Sequence, residues 1–347
     1  VVSNKFETHA IRNQTKRSQY LEHSTPLYLT SSFVFEDAED MRASFAEEKK
    51  RNIYSRFSNP NTSEFVQKVV QMEEADDGVS FATGMGAVFA TFAAFLNAGD
   101  HIVSARALFG STHTLFTKYL PKWEISTSYF PVDDLSLVED LIQSNTKCIY
   151  VESPTDPGVD ILDLEAIGKI AKKHKLLFIV DNCFATPYLQ QPIKYGADLV
   201  IHSATKLMDG QGRVLGGVTV GSKELIRELF LFARNTGASL SPFNAWVLSK
   251  SLETLAVRVD RHCDNAFTIA EKLEVSQNIN WVKYPFLKSH PQYALAKKQM
   301  LKGGNIIAFE LIGGLEAGQN FINAIELCSL SSNLGDSRTI ITHPAST

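Results

Sequence analysis

The sequence predicts an α/β fold: a mostly parallel sheet flanked by helices, with an N-terminal arm and a smaller C-terminal α+β domain. Three observations carry that expectation. Short runs of β-branched and aliphatic residues recur at 79–82, 101–104, 147–151, 176–180, 199–202 and 217–220. Helical patterns fill the gaps at 84–96, 111–118, 135–142 and 164–174, and strands alternating with helices imply a parallel sheet covered on both faces. Finally, 347 residues are many for a single core, so two domains are expected.

Taken in order, residues 1–50 are polar without a strong period and read as an arm that packs on something else. An α/β domain then spans 51–247. Its helix at 84–96 is rich in Ala and Phe and is closed by Asn97-Ala98-Gly99-Asp100. The helix at 111–118 is expected to stop at Pro121, which has no N–H to donate. After Pro242 a long helical stretch runs from 244 to 273, and the boundary with a 248–347 domain falls inside it. Strands at 305–311 and 327–331 surround a helical segment at 315–324. No terminating helix follows His343-Pro344-Ala345, so the C-terminal domain is expected to be incomplete at its end.

Composition narrows the function classes. A net charge of −4 argues against a nucleic-acid footprint, and Glu47-Glu48-Lys49-Lys50-Arg51 reads as a solvated helix face. The longest apolar stretches, such as 87–96, fall well short of a membrane span. No cationic-then-apolar leader opens the chain. The four cysteines (Cys148, Cys183, Cys263, Cys328) lack CxxC or Cys/His spacing, so no metal is expected and the thiols read as reduced, in a cytoplasmic protein.

The chemistry-bearing positions cluster at strand ends. The run from Asp198 to Lys206 is an apolar strand delivering Ser203, Thr205 and Lys206. Upstream, the strand at 176–180 delivers Asp181. In a parallel sheet such ends line one crevice where ligands bind. A lysine there can lose its charge by desolvation and form a Schiff base. Flanking hydroxyls suit a phosphate. A buried carboxylate needs a partner, and a protonated pyridine nitrogen is one. Aldehyde, ring nitrogen and phosphate together describe pyridoxal 5′-phosphate.

Further elements fit the same cofactor. Gly84 and Met85 open a helix whose N–H groups offer a phosphate site. Arg56 can fork onto phosphate oxygens and Tyr54 can donate to them; being far upstream, they could reach the site from a second subunit. Phe109 could stack on a flat ring. Taken singly, each has a plainer reading: a strand-capping lysine, an N-cap aspartate, a glycine turn, a polar loop, a core phenylalanine. A sugar- or nucleotide-binding α/β protein without covalent chemistry is the alternative from another class.

In order and spacing, five motifs combine: Tyr54-Ser55-Arg56 with Asn59-Pro60, Glu152-Ser153-Pro154-Thr155, Val180-Asp181-Asn182, His202 to Lys206, and Ser241-Pro242-Phe243. With them the chain resembles, over essentially its whole length, the PLP-dependent enzymes of cysteine and methionine metabolism, the cystathionine γ-synthase-like family of fold type I. The resemblance implies a fold-type-I PLP-transferase. Lys206 would be the Schiff-base and proton-transfer residue, with Tyr54 carried over as catalytic too. Asp181 would sit on the pyridine nitrogen. Gly84, Met85, Ser203 and Thr205 would hold the phosphate, completed by Tyr54 and Arg56 across a dimer, and a homotetramer is expected.

Several positions depart from the family pattern. Asp156 stands where Asn is usual near the ring oxygen, and Phe109 where Tyr is frequent. Gly210-Gln211-Gly212-Arg213 replaces a common Gly-His-Ser, and Gly335-Asp336-Ser337-Arg338-Thr339 is a further distinguishing run. The family's substrate-carboxylate arginine lies beyond Thr347, leaving Thr339 as the substrate-binding candidate. These variants most resemble the branch that joins sulfide to O-succinylhomoserine. The implied activity is γ-replacement on an O-acylated homoserine with sulfide, giving homocysteine for methionine synthesis. Cystathionine γ-synthase and methionine γ-lyase activities are the alternatives.

Overall fold

In the computed structural model, which describes residues 6–346, the alternation becomes a seven-stranded sheet. Its strands are β1 (Asp77–Phe81), β2 (His101–Ala105), β3 (Ser126–Phe130), β4 (Thr146–Glu152), β5 (Leu177–Asp181), β6 (Leu199–Ser203) and β7 (Gly217–Gly221). The order across the sheet is β1-β7-β6-β5-β4-β2-β3. All neighbours from β6 through β3 are parallel, whereas β7 runs antiparallel to both β6 and β1. Consequently the C-terminal ends of β1, β4, β5 and β6 share one edge with the start of β7. Register makes this concrete: Glu152 lies opposite Asp181, and Gly217 lies opposite both Ser203 and Phe81.

Each face of the sheet carries its own apolar layer. Alternation along β4 sends Ile149 and Val151 to one side, with Val180, Val200 and the helices Pro60–Glu73 and Pro242–Leu252. Cys148 and Tyr150 go to the other, with Ile179, Ile201 and the helices Gly84–Phe95 and Lys223–Thr236. Burial on both faces is why these strands read as nearly unbroken apolar runs. A third cluster, built on Ala266, Ala270, Tyr284 and Leu287, lies towards the C-terminus. Beside it, β8 (Ile279–Lys283) and β9 (Ala308–Leu311) pair antiparallel.

The structure departs from the sequence expectations in physically informative places. β3 was not anticipated, because an edge strand needs no two-sided burial and Ser126-Thr127-Ser128 looks like a loop. The helix expected to stop at Pro121 instead passes from Gly110–Thr114 into a π turn and then a 3-10 turn, Leu120–Trp123. Pro121 lies at the start of that last turn, where a missing N–H costs nothing. The helical stretch at 244–273 is two helices, Pro242–Leu252 and Leu255–Glu274, parted at Glu253 and Thr254. The expected helix at 135–142 shrinks to Leu137–Asp140, and the strand at 327–331 to Ser329–Leu330, paired with Ile340–Ile341.

The arm contains two helices, Phe6–Arg12 and Ala38–Phe45. The charge run at 47–51 is more than a solvated face. Glu47 pairs with Arg227 at 2.7 Å, while Lys49 and Arg51 both bind the buried Asp40. Long basic and acidic side chains here tie the arm to itself and to the helix Lys223–Thr236. No helix among the described residues is long and apolar enough to cross a membrane.

Two close approaches hold the edge of the sheet together. A Cβ on Gly84 would lie 2.6 Å from Ser203 Cβ, and one on Gly217 would lie 2.2 Å from the Thr83 carbonyl oxygen. The second contact is with backbone and cannot be relieved by a side-chain rotation. Gly217→Ala therefore forces β7 away from the helix start and is expected to destabilise the protein by about 1–3 kcal/mol. A denaturant titration monitored by circular dichroism checks this; an unchanged midpoint contradicts it.

Candidate active site

Three strand ends and one helix start form the mouth. β6 ends at Ser203, and the turn that follows carries Thr205 and Lys206. β5 ends at Asp181, β4 at Glu152, and the helix Gly84–Phe95 begins against Ser203. Thr83 caps that helix by accepting from the Gly86 N–H at 2.9 Å. The earlier N–H groups of Gly84 and Met85 are left at the positive end of the helix dipole. Ser203 Oγ makes no hydrogen bond among the described residues, so a hydroxyl and two N–H groups converge where an anion would sit. Thr205 differs: its hydroxyl donates to the Gly216 carbonyl at 3.2 Å and accepts from the Gly216 N–H at 3.1 Å.

Lys206 lies in the turn, half-buried, with Nζ donating to Asn333 Oδ1 at 2.9 Å. Its charge is felt by Asp156 and Cys183. Asp181 accepts from the Cys183 N–H at 2.9 Å. Burial pushes the Asp181 carboxyl up to about 6; the Cys183 N–H and the nearby His202 charge work against that rise, and Asp156 adds to it. Asp156 is itself raised by burial and opposed by Lys206. A carboxyl held this way binds a cationic ring nitrogen readily, because the partner removes the desolvation penalty.

Glu152 is the residue whose individual part the sequence reading left unassigned. It is buried, and its carboxyl is pushed well above the ordinary range by burial and then by Asp181. Glu152 Oε2 accepts from the Phe109 N–H at 2.8 Å, and Oε1 accepts from the Tyr150 hydroxyl at 3.3 Å. It thereby fixes the turn that presents the exposed Phe109. A glutamate ending a strand that is otherwise buried is the signal that was available in the sequence.

The C-terminal part reaches the lysine through unexpected residues. Gly335 packs on the backbone of Lys206 and Leu207, where a Cβ would meet the Leu207 nitrogen at 2.5 Å. The Ser337 N–H donates to the Gly210 carbonyl at 2.9 Å, and Arg258 donates to the Leu207 carbonyl at 2.8 Å. Asn333, not Thr339, bonds to Lys206. Thr339 is exposed, its carbonyl accepting from the Ser329 N–H at 2.9 Å.

Tyr54 and Arg56 are not brought to this mouth within one chain. Arg56 donates to the Arg234 carbonyl and lies over the rings of Tyr54 and Phe57, at 5.5 and 5.0 Å. Among the described residues neither makes a hydrogen bond to Lys206, Ser203 or Gly84. No cluster of three or more potential metal ligands occurs among the described residues.

A residue set of this kind fits pyridoxal phosphate. An unpartnered serine hydroxyl and a helix start with a glycine cradle suit the phosphate. A lysine faces the same mouth, and a buried carboxyl with raised affinity for its proton suits the ring nitrogen. Comparison with known proteins agrees. The family model described as Cys/Met metabolism PLP-dependent enzyme matches residues 7–347. The O-succinylhomoserine sulfhydrylase of Pseudomonas aeruginosa is 44% identical over 99% of this chain and 85% of its own length. An L-methionine gamma-lyase of Fusobacterium nucleatum is 41% identical over 98% of this chain and 87% of that protein. Among solved structures, a putative O-acetylhomoserine (thiol)-lyase from Campylobacter jejuni superposes with a TM-score of 0.95. It has 34% identity, with 99% of this chain and 90% of that chain covered, and it carries an N′-pyridoxyl-lysine-5′-monophosphate. The chain belongs to the PLP-dependent enzymes of Cys/Met metabolism, has their fold-type-I architecture and uses pyridoxal phosphate as its cofactor.

Proposed function

We propose that this enzyme catalyses γ-replacement on an O-acylated homoserine, O-succinylhomoserine by preference, with sulfide as the incoming nucleophile and homocysteine as product. One observation carries the choice. Residue 109, at the turn fixed by Glu152, is Phe and offers no acidic hydroxyl. A carboxylate leaves from Cγ without being protonated, whereas a thiolate leaving group needs a proton donor. The relative named as an O-succinylhomoserine sulfhydrylase supports the same reading at 44% identity, against 41% for the one named as a methionine gamma-lyase.

Each residue then has a defined task. Gly84, Met85 and Ser203 bind the phosphate, and Asp181 holds the ring nitrogen. Thr205, whose hydroxyl bridges both polar groups of Gly216, joins the phosphate shell if that hydroxyl turns. Bound there, pyridoxal phosphate supplies an electron sink for negative charge developing at the substrate α-carbon. Lys206 would hold the cofactor through Nζ, and with its amine free would take the proton from the substrate Cα and move one at Cβ, as the acyloxy group at Cγ is exchanged for sulfide. Asn333 holds the Lys206 amine between these tasks. Phe109 covers a face of the ring. Tyr54 and Arg56, which make no hydrogen bond to the mouth of their own chain among the described residues, would complete the phosphate site of a neighbouring subunit, with Tyr54 also within reach of the chemistry. A homotetramer of two such dimers in the cytoplasm is the assembly proposed. Thr339 remains a candidate for contact with the substrate, alongside Asn333.

Four measurements test this. Lys206→Ala is expected to abolish the visible absorption band of the lysine-bound cofactor and to lower turnover at least about a thousandfold; a retained band assigns the link elsewhere. With O-succinylhomoserine, homocysteine formation from sulfide should exceed both cystathionine formation from cysteine and 2-oxobutyrate release. Dominant cystathionine output, or 2-oxobutyrate from methionine, selects one of the alternative activities. Mixing inactive Arg56→Ala and Lys206→Ala proteins under conditions of subunit exchange should restore about a quarter of wild-type activity, since half the dimers are hybrids with one intact site. No recovery despite exchange shown by mass spectrometry places Arg56 outside the shared site. Finally, cofactor affinity of the cofactor-free protein should fall as pH drops through about 6, because Asp181 then takes up a proton and no longer pairs with the ring nitrogen. Equilibrium binding from pH 5 to 8 reads this directly, and flat affinity would contradict it.

A further inference from the structure

The two runs that set this chain apart from the family pattern, 210–213 and 335–339, are bonded to each other. Arg338 Nη2 donates to the Gln211 carbonyl at 2.9 Å across 127 residues of sequence, and the Ser337 N–H donates to the Gly210 carbonyl at 2.9 Å. The same guanidinium grips Asp336, with Nε on Oδ1 at 2.9 Å and Nη2 on Oδ2 at 2.8 Å, while the Arg338 N–H also donates to Oδ1 at 2.9 Å. Asp336 is buried, and it leaves no space at Gly212, where a Cβ would lie 2.6 Å from Oδ2. On the other run, the buried Asp209 carboxylate accepts from the Arg213 N–H at 2.7 Å and from Nε at 3.1 Å.

Both sides of this junction lead to the lysine. Gly210 donates from its N–H to the Lys206 carbonyl at 2.8 Å, so the carbonyl that holds Ser337 belongs to the residue closing the lysine turn. Gly335 packs on the Lys206 and Leu207 backbone. Two residues before Gly335, Asn333 Oδ1 accepts from Lys206 Nζ at 2.9 Å. Asn333 lies in a loop after Ser329–Leu330, outside any helix or strand. It is held against the lysine by the contacts of Gly335, Ser337 and Arg338. Arg338 itself is exposed, and an exposed ion pair adds little to global stability. Its planar fork fixes geometry instead, tying a carboxylate on its own loop to a carbonyl on the segment after the lysine.

We propose that Asp336 and Arg338 are positioning residues: they clasp the 335–338 loop to the turn after Lys206 and thereby keep Asn333 on the lysine amine. The inference rests on Lys206 being the residue that holds the cofactor and moves the substrate α-proton, as proposed above. Neither Asp336 nor Arg338 makes a hydrogen bond to Lys206, Ser203 or Gly84 among the described residues, so both act through Asn333. A proton-transfer group works only within a narrow range of distance and direction, and a displacement of about 1 Å can cost a hundredfold in rate. Asn333 sets that direction when the amine is free. Loosening the clasp therefore slows proton transfer while leaving substrate affinity and cofactor retention in place.

The Cα proton of L-norvaline, which has no leaving group at Cγ, reads the lysine step without reference to the acyl group or the sulfur donor. The holoenzyme is incubated with it in heavy water and exchange is followed by NMR. Arg338→Ala is expected to lower the maximal exchange rate about tenfold, with the half-saturating concentration changed less than about twofold and the visible cofactor band retained. Asp336→Asn, of the same size, should do the same and remains decisive should the Ala variant not fold. Asn333→Ala should also be slow, and Arg338→Ala combined with Asn333→Ala no slower than Asn333→Ala alone. In the cofactor-free protein, hydrogen exchange read by mass spectrometry should be at least about tenfold faster at the Gly210 and Ser337 amides of Arg338→Ala. Wild-type maximal rates in the folded Arg338→Ala and Asp336→Asn proteins overturn the proposal. So do multiplicative losses in the double variant, which detach Arg338 from Asn333, and unchanged protection of the two amides. A loss confined to half-saturation overturns it too, by making Arg338 a substrate-binding group. Failure of both pair variants to fold counts against it equally, since an exposed pair that only positions a loop is not required for folding. Lys206→Ala separates this inference from its premise. Norvaline exchange at the wild-type rate in that variant would remove the role given to Lys206, whereas no exchange there beside an unaffected Arg338→Ala removes only the clasp.

Discussion

The registered pair of carboxyls, Glu152 on β4 and Asp181 on β5, is the constraint around which the rest of the site is arranged. Two acids at the ends of adjacent parallel strands repel, and burial compounds the repulsion. Each therefore needs its own environment. Glu152 is turned inward to the Phe109 N–H and the Tyr150 hydroxyl, where a protonated or strongly hydrogen-bonded carboxyl is comfortable. Asp181 is left with one backbone N–H and the positive influence of His202. Two residues of the same chemistry thus acquire different surroundings: one anchors a turn, while the other is left suited to a cationic partner.

The same edge of the sheet depends on glycines for a different reason. Gly84 brings a helix start onto Ser203, and Gly217 brings β7 under the Thr83 carbonyl. Neither is needed for an unusual backbone dihedral. Both permit backbone to approach backbone closely enough that the helix N–H groups and the β6 hydroxyl face one point. Gly335 does the equivalent work from the C-terminal side, where a positive φ of 76° and contact with the Lys206–Leu207 backbone leave no room for a side chain. An anion site built from backbone groups is set by such distances rather than by any one side chain.

Much of this was legible in the sequence because two-sided burial leaves an unmistakable trace. Strands β2, β4, β5, β6 and β7 are apolar on both faces, and Asp181 and Lys206 stand out as charges at their ends. β3 was hidden, since its edge position leaves it half solvated and polar. Glu152 went without a task because its partners, the Phe109 N–H and the Tyr150 hydroxyl, become neighbours only once β4 and the turn after β2 are placed. Asn333 was hidden for the same reason: 127 residues separate it from Lys206, and no local pattern announces the contact. Thr339, six residues further on, stood out by residue type, but its side chain is exposed.

Asp156 shows how the electrostatics of the site hang together. An aspartate where the family commonly has an amide adds a third acid to Glu152 and Asp181, and it raises the affinity of both for protons. That cost is offset by Lys206, whose charge acts on Asp156. In the role proposed for it, Lys206 would lose that charge on holding the cofactor, and the offset at Asp156 would be lost with it. Asp156 would then take up a proton or rotate away.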